Sequence, residues 1–373
     1  MSEPLLILAL LLCPGLASAG PAPKEEKKQV DPLTERLRSP DSKTRKAALR
    51  SLDRMMSPAM EGESIRLLSD EDPEVRAAAA STAGMTRSSA AATALLPLLD
   101  DADLGVRRNA ARALAASAPP AALPRLCAMM RDPASEVRAA AAGTLAAYDS
   151  ADALESLLAG ARTGDEALRS ASVMALGRSK HPGAADALPE FTVDRSSSVR
   201  LAVSLAMRSS GKAGMADRLA PLLEDPDDKV RMEAVQSVAE LRGTGHSGRI
   251  MRMITEDPSP PVRAKAAWAM HVLKHRESIP LLIKLLDESQ DQRLRIACIV
   301  SLGEIKAPEA FGSIRKVLKS DTEEMRLQAA WAAFRIGDHG QGRPILQEAL
   351  KAESAESVRS NISDALAEMD RGR

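Results

Sequence analysis

An apolar residue followed by arginine recurs along the chain, and a helical pattern follows it each time. Counting the arginine as position zero, positions +3, +4 and +7 are small or aliphatic, as with Ala141, Ala142 and Leu145 after Arg138. This spacing places the three side chains on one face of a helix. The arginines of the pattern are Arg45, Arg76, Arg107, Arg138, Arg169, Arg200, Arg231, Arg263, Arg295, Arg326 and Arg359. Because they lie 31 to 33 residues apart, the sequence predicts an array of about eleven repeats.

Each repeat is predicted to contain two helices. Position −6 is Asp, Ser or Thr in every copy except the last, which has Glu353, and in four copies proline follows, Pro133 among them. Such a residue accepts a free N–H at a helix start, so we expect the second helix to begin near position −5 and to run for about 14 residues. Apolar spacing over residues 122–130 indicates a first helix. Short loops, often with glycine as at Gly177, Gly303 and Gly337, are expected to join the helices.

Composition favours close helix packing over β-sheets. The chain has 66 alanines among 373 residues but only six aromatic side chains. Sheets favour aromatic and β-branched residues, whereas small aliphatic side chains suit helices. The hydrophobic content of 45% also excludes wholesale disorder. We therefore predict an all-α solenoid, a right-handed superhelix of two-helix repeats.

The repeat unit reads helix, then Asp-Pro-x-x-x-Val-Arg-x-x-Ala-Ala-x-x-Leu-Gly, and it resembles the HEAT repeat. Its short form resembles the HEAT-like repeats of the phycobilisome lyase family. The resemblance covers residues 31–373. It implies the fold but leaves the function open, because such repeats occur in scaffolds, in accessory subunits of enzymes and in a few enzymes.

The resemblance also implies a role for the repeated charged residues. In HEAT-type arrays the corresponding Arg and Asp form a ladder of hydrogen bonds between successive repeats, and the planar fork of a guanidinium suits such bridging. The expected ladder residues are Arg76, Arg107, Arg138, Arg169, Arg200, Arg231, Arg263, Arg295, Arg326, Asp70, Asp101, Asp132, Asp194, Asp225 and Asp257. An anion-binding strip is the weaker alternative.

A second row of residues is a candidate partner-binding stripe. Position +5 lies away from the centre of the inward face, position +1 flanks it, and both are mostly apolar from the sixth to the tenth repeat. The stripe consists of Leu201, Leu205, Met232, Trp268, Ile296, Val300, Leu327 and Trp331. One interpretation is an exposed surface that binds a peptide or protein, with both tryptophans as anchors. The other is that these side chains complete the packing between repeats.

The N-terminus has the pattern of a targeting segment. An apolar run over residues 5–12 precedes Ala17-Ser18-Ala19, which is typical of a secretory signal peptide cleaved after Ala19. Residues 1–19 are thus predicted to be removed, and residues 20–30 to form a flexible charged linker. An alternative is a lipoprotein signal with Cys13 as the lipidated residue. We expect a periplasmic or extracellular protein without a membrane span after cleavage.

No catalytic, cofactor-binding or metal site is predicted. No histidine is followed by glutamate, unlike in the deoxyhypusine hydroxylases, a HEAT-like enzyme family with a di-iron centre. His271 and His275 are spaced to meet one metal, but no third ligand is evident nearby. Basic and acidic side chains number 51 each, and this balance argues against nucleic-acid binding.

The predicted function is that of an exported, non-catalytic scaffold for protein–protein interactions. Its partner is expected to be a protein or peptide whose identity the sequence does not specify. The alternative is an accessory or lyase-like subunit of an enzyme complex.

Overall fold

The computed structural model describes residues 32–55, 61–319, 322–337 and 340–371. Within these ranges every regular element is helical and no strand occurs. Twenty-two described α-helices alternate as the first and second members of eleven pairs. Several first helices end in a short 3₁₀ turn, such as Leu67–Ser69.

The first helices carry odd numbers and the second helices even numbers. The first helices are α1 (32–37), α3 (Glu61–Arg66), α5 (Ser89–Leu95), α7 (Leu123–Met129), α9 (Ala151–Ala161), α11 (Ala184–Ala187), α13 (Met215–Leu219), α15 (Ser247–Glu256), α17 (Ile279–Glu288), α19 (Phe311–Val317) and α21 (Gly342–Ala352). The second helices are α2 (Ser42–Met55), α4 (Pro73–Thr86), α6 (Leu104–Leu114), α8 (Ser135–Leu145), α10 (Glu166–Arg178), α12 (Ser197–Ser210), α14 (Asp228–Glu240), α16 (Pro260–Val272), α18 (Gln292–Ile305), α20 (Glu323–Ile336) and α22 (Glu356–Arg371).

The chain divides within α7 into two compact units, one ending at Arg125 and the other beginning at Leu126. In the first unit, α2, α4 and α6 pack in sequence order. In the second unit, α8 to α22 do the same through the even-numbered helices. The prediction of an all-α solenoid is confirmed. The predicted signal peptide, the linker and the possible lipidation at Cys13 lie outside the described residues.

The core is built from small and aliphatic side chains at the predicted positions. In α4, Val75, Ala79 and Ala80 are fully buried, and in α16 Ala266 and Ala267 are as well. Alanine at +3 and +4 lets neighbouring helices approach closely, because it has no side chain beyond Cβ. The scarcity of aromatic residues therefore follows from the packing distance within each unit.

The predicted start of the second helix is wrong by two residues. The N-cap is at position −4, where Asp72 accepts a hydrogen bond from the backbone N–H of Glu74, and α4 begins at Pro73. The aspartate at −6 has another local role, since Asp70 accepts the backbone N–H of Asp72 at 3.0 Å. It holds the turn before the helix and leaves its carboxylate available to the preceding repeat.

The prediction that Gly177 and Gly303 lie in loops is also wrong. Both are in the last turn of a second helix, at position +8. A Cβ on Gly177 would lie 2.5 Å from the backbone of Ala206 in the next repeat, and one on Gly303 would lie 3.0 Å from that of Ala332. Glycine occurs here because two helices cross too closely for any side chain.

Candidate partner-binding surface

The arginines of the repeat divide their hydrogen bonds between two repeats. In Arg200, Nη1 donates to the backbone carbonyl of Asp194 in its own repeat at 2.8 Å. Its Nε and Nη2 donate to the two carboxylate oxygens of Asp225 in the next repeat, at 2.6 and 2.7 Å. Each guanidinium of this kind therefore fixes the turn before its own helix and binds the following repeat in a bidentate pair.

The same bidentate geometry recurs in both units. Within the first unit it joins Arg45 to Asp70 and Arg76 to Asp101. Within the second it joins Arg169 to Asp194, Arg231 to Asp257 and Arg326 to Glu353. Glu353, the exception at position −6 in the sequence, thus fills the position of aspartate.

Three expected ladder arginines differ from this geometry. Arg138 pairs with Asp165, the N-cap at position −4, because position −6 of that repeat is Thr163. Arg295 turns its Nε to the backbone carbonyl of Leu286 at 3.0 Å. Within the described residues, Arg263 hydrogen-bonds only to its own repeat, through Nη1 to the carbonyls of Asp257 and Pro258.

Arg107 and Asp132 keep the local contacts of the ladder. Arg107 Nη1 donates to the carbonyl of Asp101 at 2.8 Å. Asp132 accepts the backbone N–H of Ala134 at 2.8 Å. These are the bonds that hold the turn in the other repeats.

The paired groups are held in their charged forms. The hydrogen bond to Asp225 raises the pKa of Arg200. Burial alone would raise the pKa of Asp194, but hydrogen bonds from Arg169 and from the backbone of Ser196 outweigh it, so that this pKa is lowered. Arg231 and Asp257 are only 8% exposed each. These charges are engaged within the molecule.

The stripe lies on a neighbouring face of the second helices, since positions +1 and +5 are about 100° and 140° around the helix from the arginine. All eight side chains are half-buried on α12, α14, α16, α18 and α20, and these helices pack against one another in this order. The stripe residues are therefore neither isolated on the surface nor part of the closed core.

Trp268 contacts two nitrogen-containing side chains on its own helix. The Nζ of Lys265 is 4.7 Å from the centre of the indole ring. The His271 ring meets the same indole edge to face, with 5.3 Å between centroids. Burial lowers the pKa of both Lys265 and His271. A cation above an indole face is attracted to it, and this contact holds the ring in place.

Trp331 is anchored in a similar manner two repeats later. The guanidinium carbon of Arg335 lies 5.7 Å from the indole centroid. Its Nη2 donates to Glu304 on the preceding second helix at 2.7 Å. The ring edge lies against Gly303, where a Cβ would be 3.2 Å from Cζ3. The close helix crossing at Gly303 thus provides the space for the indole.

Charged residues that the sequence interpretation missed surround the stripe. Arg208 lies 2.8 Å from Glu233 and 3.4 Å from Glu240, across α12 and α14. Gln236 accepts a hydrogen bond from Lys265 at 3.1 Å. Positions +2 and +9 lie three residues before and four after the stripe position +5, so helical spacing alone would have identified Glu233, Lys265 and Glu240.

The repeat pattern and the helix pairs are characteristic of a known protein family. The model of the HEAT repeats matches residues 30–108, 94–176, 154–239 and 249–333. The chain is a HEAT-repeat protein. The closer resemblance to the repeats of the phycobilisome lyase family stays a prediction, because the matching family model describes HEAT repeats in general. No curated protein sequence matches this HEAT-repeat protein significantly.

Solved structures share its fold. Kap95p, from a structure of its binding to RanGDP, has a TM-score of 0.63 at 17% identity, over 92% of this chain and 55% of Kap95p. Kap121p bound to Pho4p gives 0.59 at 13%, over 91% and 45%. YibA of Escherichia coli gives 0.50 at 18%, over 65% and 92%. At these identities the HEAT-repeat protein is similar to them in fold alone.

The described part of the HEAT-repeat protein offers no evident metal centre. No three His, Cys, Asp or Glu side chains in it come together as possible ligands. His271 directs its Nδ1 toward Ser301 at 3.3 Å. None of the helices over the described residues combines the length and the apolar content needed to cross a bilayer.

Proposed function

We propose that this protein is an exported, non-catalytic scaffold that binds a protein or peptide on the stripe of its second unit. HEAT solenoids are typical of protein-interaction scaffolds, which supports the general role. The proposal that the protein is exported rests on the sequence pattern of residues 1–19 alone.

The observation that supports partner binding on the stripe is the similar environment of the two tryptophans, Trp268 and Trp331. Each indole is half-buried, lies against a cation on its own helix, and occupies the same repeat position. Rigid aromatic side chains with one face oriented and one part accessible are typical anchors of protein interfaces. The apolar neighbours Ile296, Val300 and Leu327 extend the surface between them.

The binding test uses peptides selected from a random library on the purified chain. Replacing Trp268 and Trp331 together with alanine should weaken their binding at least tenfold, because both anchors are lost. Val193→Ala is the matched control, since Val193 is an apolar side chain 85% exposed outside the stripe. Unchanged affinity in the folded double variant would overturn the proposal.

The export clause has its own measurement. The chain expressed from Met1 in a bacterium should appear outside the cytoplasm with Gly20 as its first residue, as measured by mass spectrometry of the cell fractions. An uncleaved chain in the cytoplasm would overturn this clause and leave the binding clause intact. A lipid-modified Cys13 would replace cleavage after Ala19 by the lipoprotein alternative.

A further inference from the structure

One ladder arginine, Arg263, has no acceptor for its Nε and Nη2 among the described residues. We propose that Arg263 binds a carboxylate of another molecule, in the position that aspartate fills in the neighbouring repeats. The source of that carboxylate is an acidic side chain of the protein partner, and this last clause rests on the proposed function.

The half of Arg263 that faces its own repeat is arranged as in the rest of the ladder. Its Nη1 donates to the carbonyl of Asp257 at 2.9 Å. The equivalent bonds of Arg200 and Arg231 are both 2.8 Å. Because this contact positions the guanidinium, the Nε and Nη2 of Arg263 are directed by the same local structure that directs those of Arg200 and Arg231.

The other half lacks its partner because of a sequence difference. The residue 26 positions after Arg231 is Asp257, whereas the residue 26 positions after Arg263 is Ser289. Ser289 keeps the turn, since its Oγ accepts the backbone N–H of Asp291 at 3.1 Å. A serine hydroxyl is shorter than a carboxylate and offers one oxygen instead of two. Among the described residues, no acceptor contacts Nε or Nη2 of Arg263 and no carboxylate lies within ion-pair distance of it.

Other repeats that lack the aspartate have found a substitute within the chain. Arg138 takes the N-cap Asp165, and Arg295 takes the carbonyl of Leu286. Asp291 is the N-cap that corresponds to Asp165, but it accepts the backbone N–H groups of Arg293 and Leu294 and makes no ion pair with Arg263. Arg263 is thus the exception in the second unit.

The chemistry of the fork selects the class of ligand. Two parallel N–H donors match the two oxygens of a carboxylate, and the half-buried position of Arg263 strengthens such a pair relative to one in open water. Arg231 and Asp257 form such a bidentate pair within the same molecule. A partner with a glutamate or aspartate can therefore complete the ladder in trans.

The test follows the arginine Nε–Hε signals of the full chain by NMR while sodium acetate replaces sodium chloride at constant ionic strength. Loss of one signal in Arg263→Lys assigns Arg263. Acetate should shift this signal in a saturable manner, at least fivefold more than the signal of Arg231, whose fork is occupied. A response no larger than that of Arg231 would overturn the proposal, and so would an equal response to inorganic phosphate.

Two variants serve as controls for the geometry. Ser289→Asp supplies the missing carboxylate within the chain, so it should abolish the acetate response and raise the unfolding midpoint. Asp291→Asn keeps a good N-cap, and it should leave the Arg263 signal of the acetate-free protein in place. A shift in that variant would show that Asp291 already occupies the fork, which would overturn the proposal.

The partner clause is tested separately with the peptides selected on the stripe. Replacing each Glu or Asp in a peptide by Gln or Asn should weaken its binding to the wild type at least fivefold, but leave its binding to Ser289→Asp unchanged. If acetate binds Arg263 and the peptides show no such dependence, the partner clause fails while the carboxylate site stands. If no peptide binds the stripe at all, the proposed function fails instead.

Discussion

The second helices carry two rows of conspicuous residues on different faces, and the side chains of the two rows make different kinds of contact. On the ladder side, Arg200 and Arg231 direct their donors to carbonyls and carboxylates of the protein itself. In the stripe, Trp268 and Trp331 lie against cations and are half-buried, so part of each ring remains accessible. The more regular row is thus engaged within the molecule, whereas the less regular row is the one that we propose binds a partner.

This difference separates stability from recognition. A residue that appears in every repeat serves what every repeat needs, which is attachment to its neighbour. Residues that differ between repeats, such as the tryptophans and the Ser289 that leaves Arg263 unpaired, distinguish one part of the array from another. Function is therefore best sought where the repetition is broken.

The largest effect is expected from the ladder. Arg231→Ala leaves Asp257 buried without its partner and should lower the free energy of unfolding by about 3–5 kcal/mol. Urea unfolding followed by circular dichroism measures this change. A loss below about 1 kcal/mol would remove the distinction between the two rows, because the ladder would then be no more structural than a surface ion pair.

A smaller effect is expected when the carboxylate that pairs with a ladder arginine is replaced by serine, as in the repeat that follows Arg263. Asp257→Ser keeps the turn, as Ser289 does in the next repeat, but removes the charged hydrogen bonds of Arg231. The expected loss is about 1.5–3 kcal/mol in the same urea experiment. Stability equal to that of the wild type would mean that Arg231 finds another acceptor.

The two rows should also lose stability in different pH ranges. The folded pKa of His271 lies below its ordinary value of about 6.5, so its contribution is fully present above that value and is lost as pH falls through the folded pKa. The lowered pKa of Asp194 places the ladder's loss below about pH 4. Melting temperatures measured from pH 7 to pH 3 should show both phases. His271→Gln should remove only the loss of stability at higher pH, and Asp194→Ser should reduce the loss at lower pH. If either variant changed the other loss instead, the comparison of the two rows would be contradicted.

The smallest effect is expected at Arg263. Arg263→Ala removes hydrogen bonds to backbone carbonyls but no ion pair, so it should cost about 1 kcal/mol or less. Its matched control is Arg231→Ala. Equal losses in the two variants would show that Arg263 is paired in solution.

The sequence was sufficient for the periodic features and insufficient for the local ones. Arginine spacing and the small residues after each arginine predicted helices, pairing and inward faces, because helical geometry repeats with the sequence. The caps were misplaced because Asp70 and Asp72 are both plausible N-caps, and only the path of the backbone distinguishes them. Gly177 was assigned to a loop because its contact is with a helix of another repeat.

The candidate surface was predictable as a row of positions but not as an environment. Helical spacing gave the stripe, whereas the cation over each tryptophan depends on side-chain rotamers. Arginine spacing likewise did not indicate that Arg295 takes the carbonyl of Leu286 in its own repeat, whereas Ser289 in place of aspartate already distinguished the repeat that follows Arg263.

Fluorescence of the tryptophans tests the central claim most directly, because Trp268 and Trp331 are the only two in the chain. Trp331→Ala leaves Trp268 as the sole reporter, and Trp268→Ala leaves Trp331. One stripe-selected peptide should change the emission of both single-tryptophan proteins and should bind each more weakly than the wild type. Two silent reporters in the presence of a bound peptide would show that partners bind elsewhere and would contradict the account.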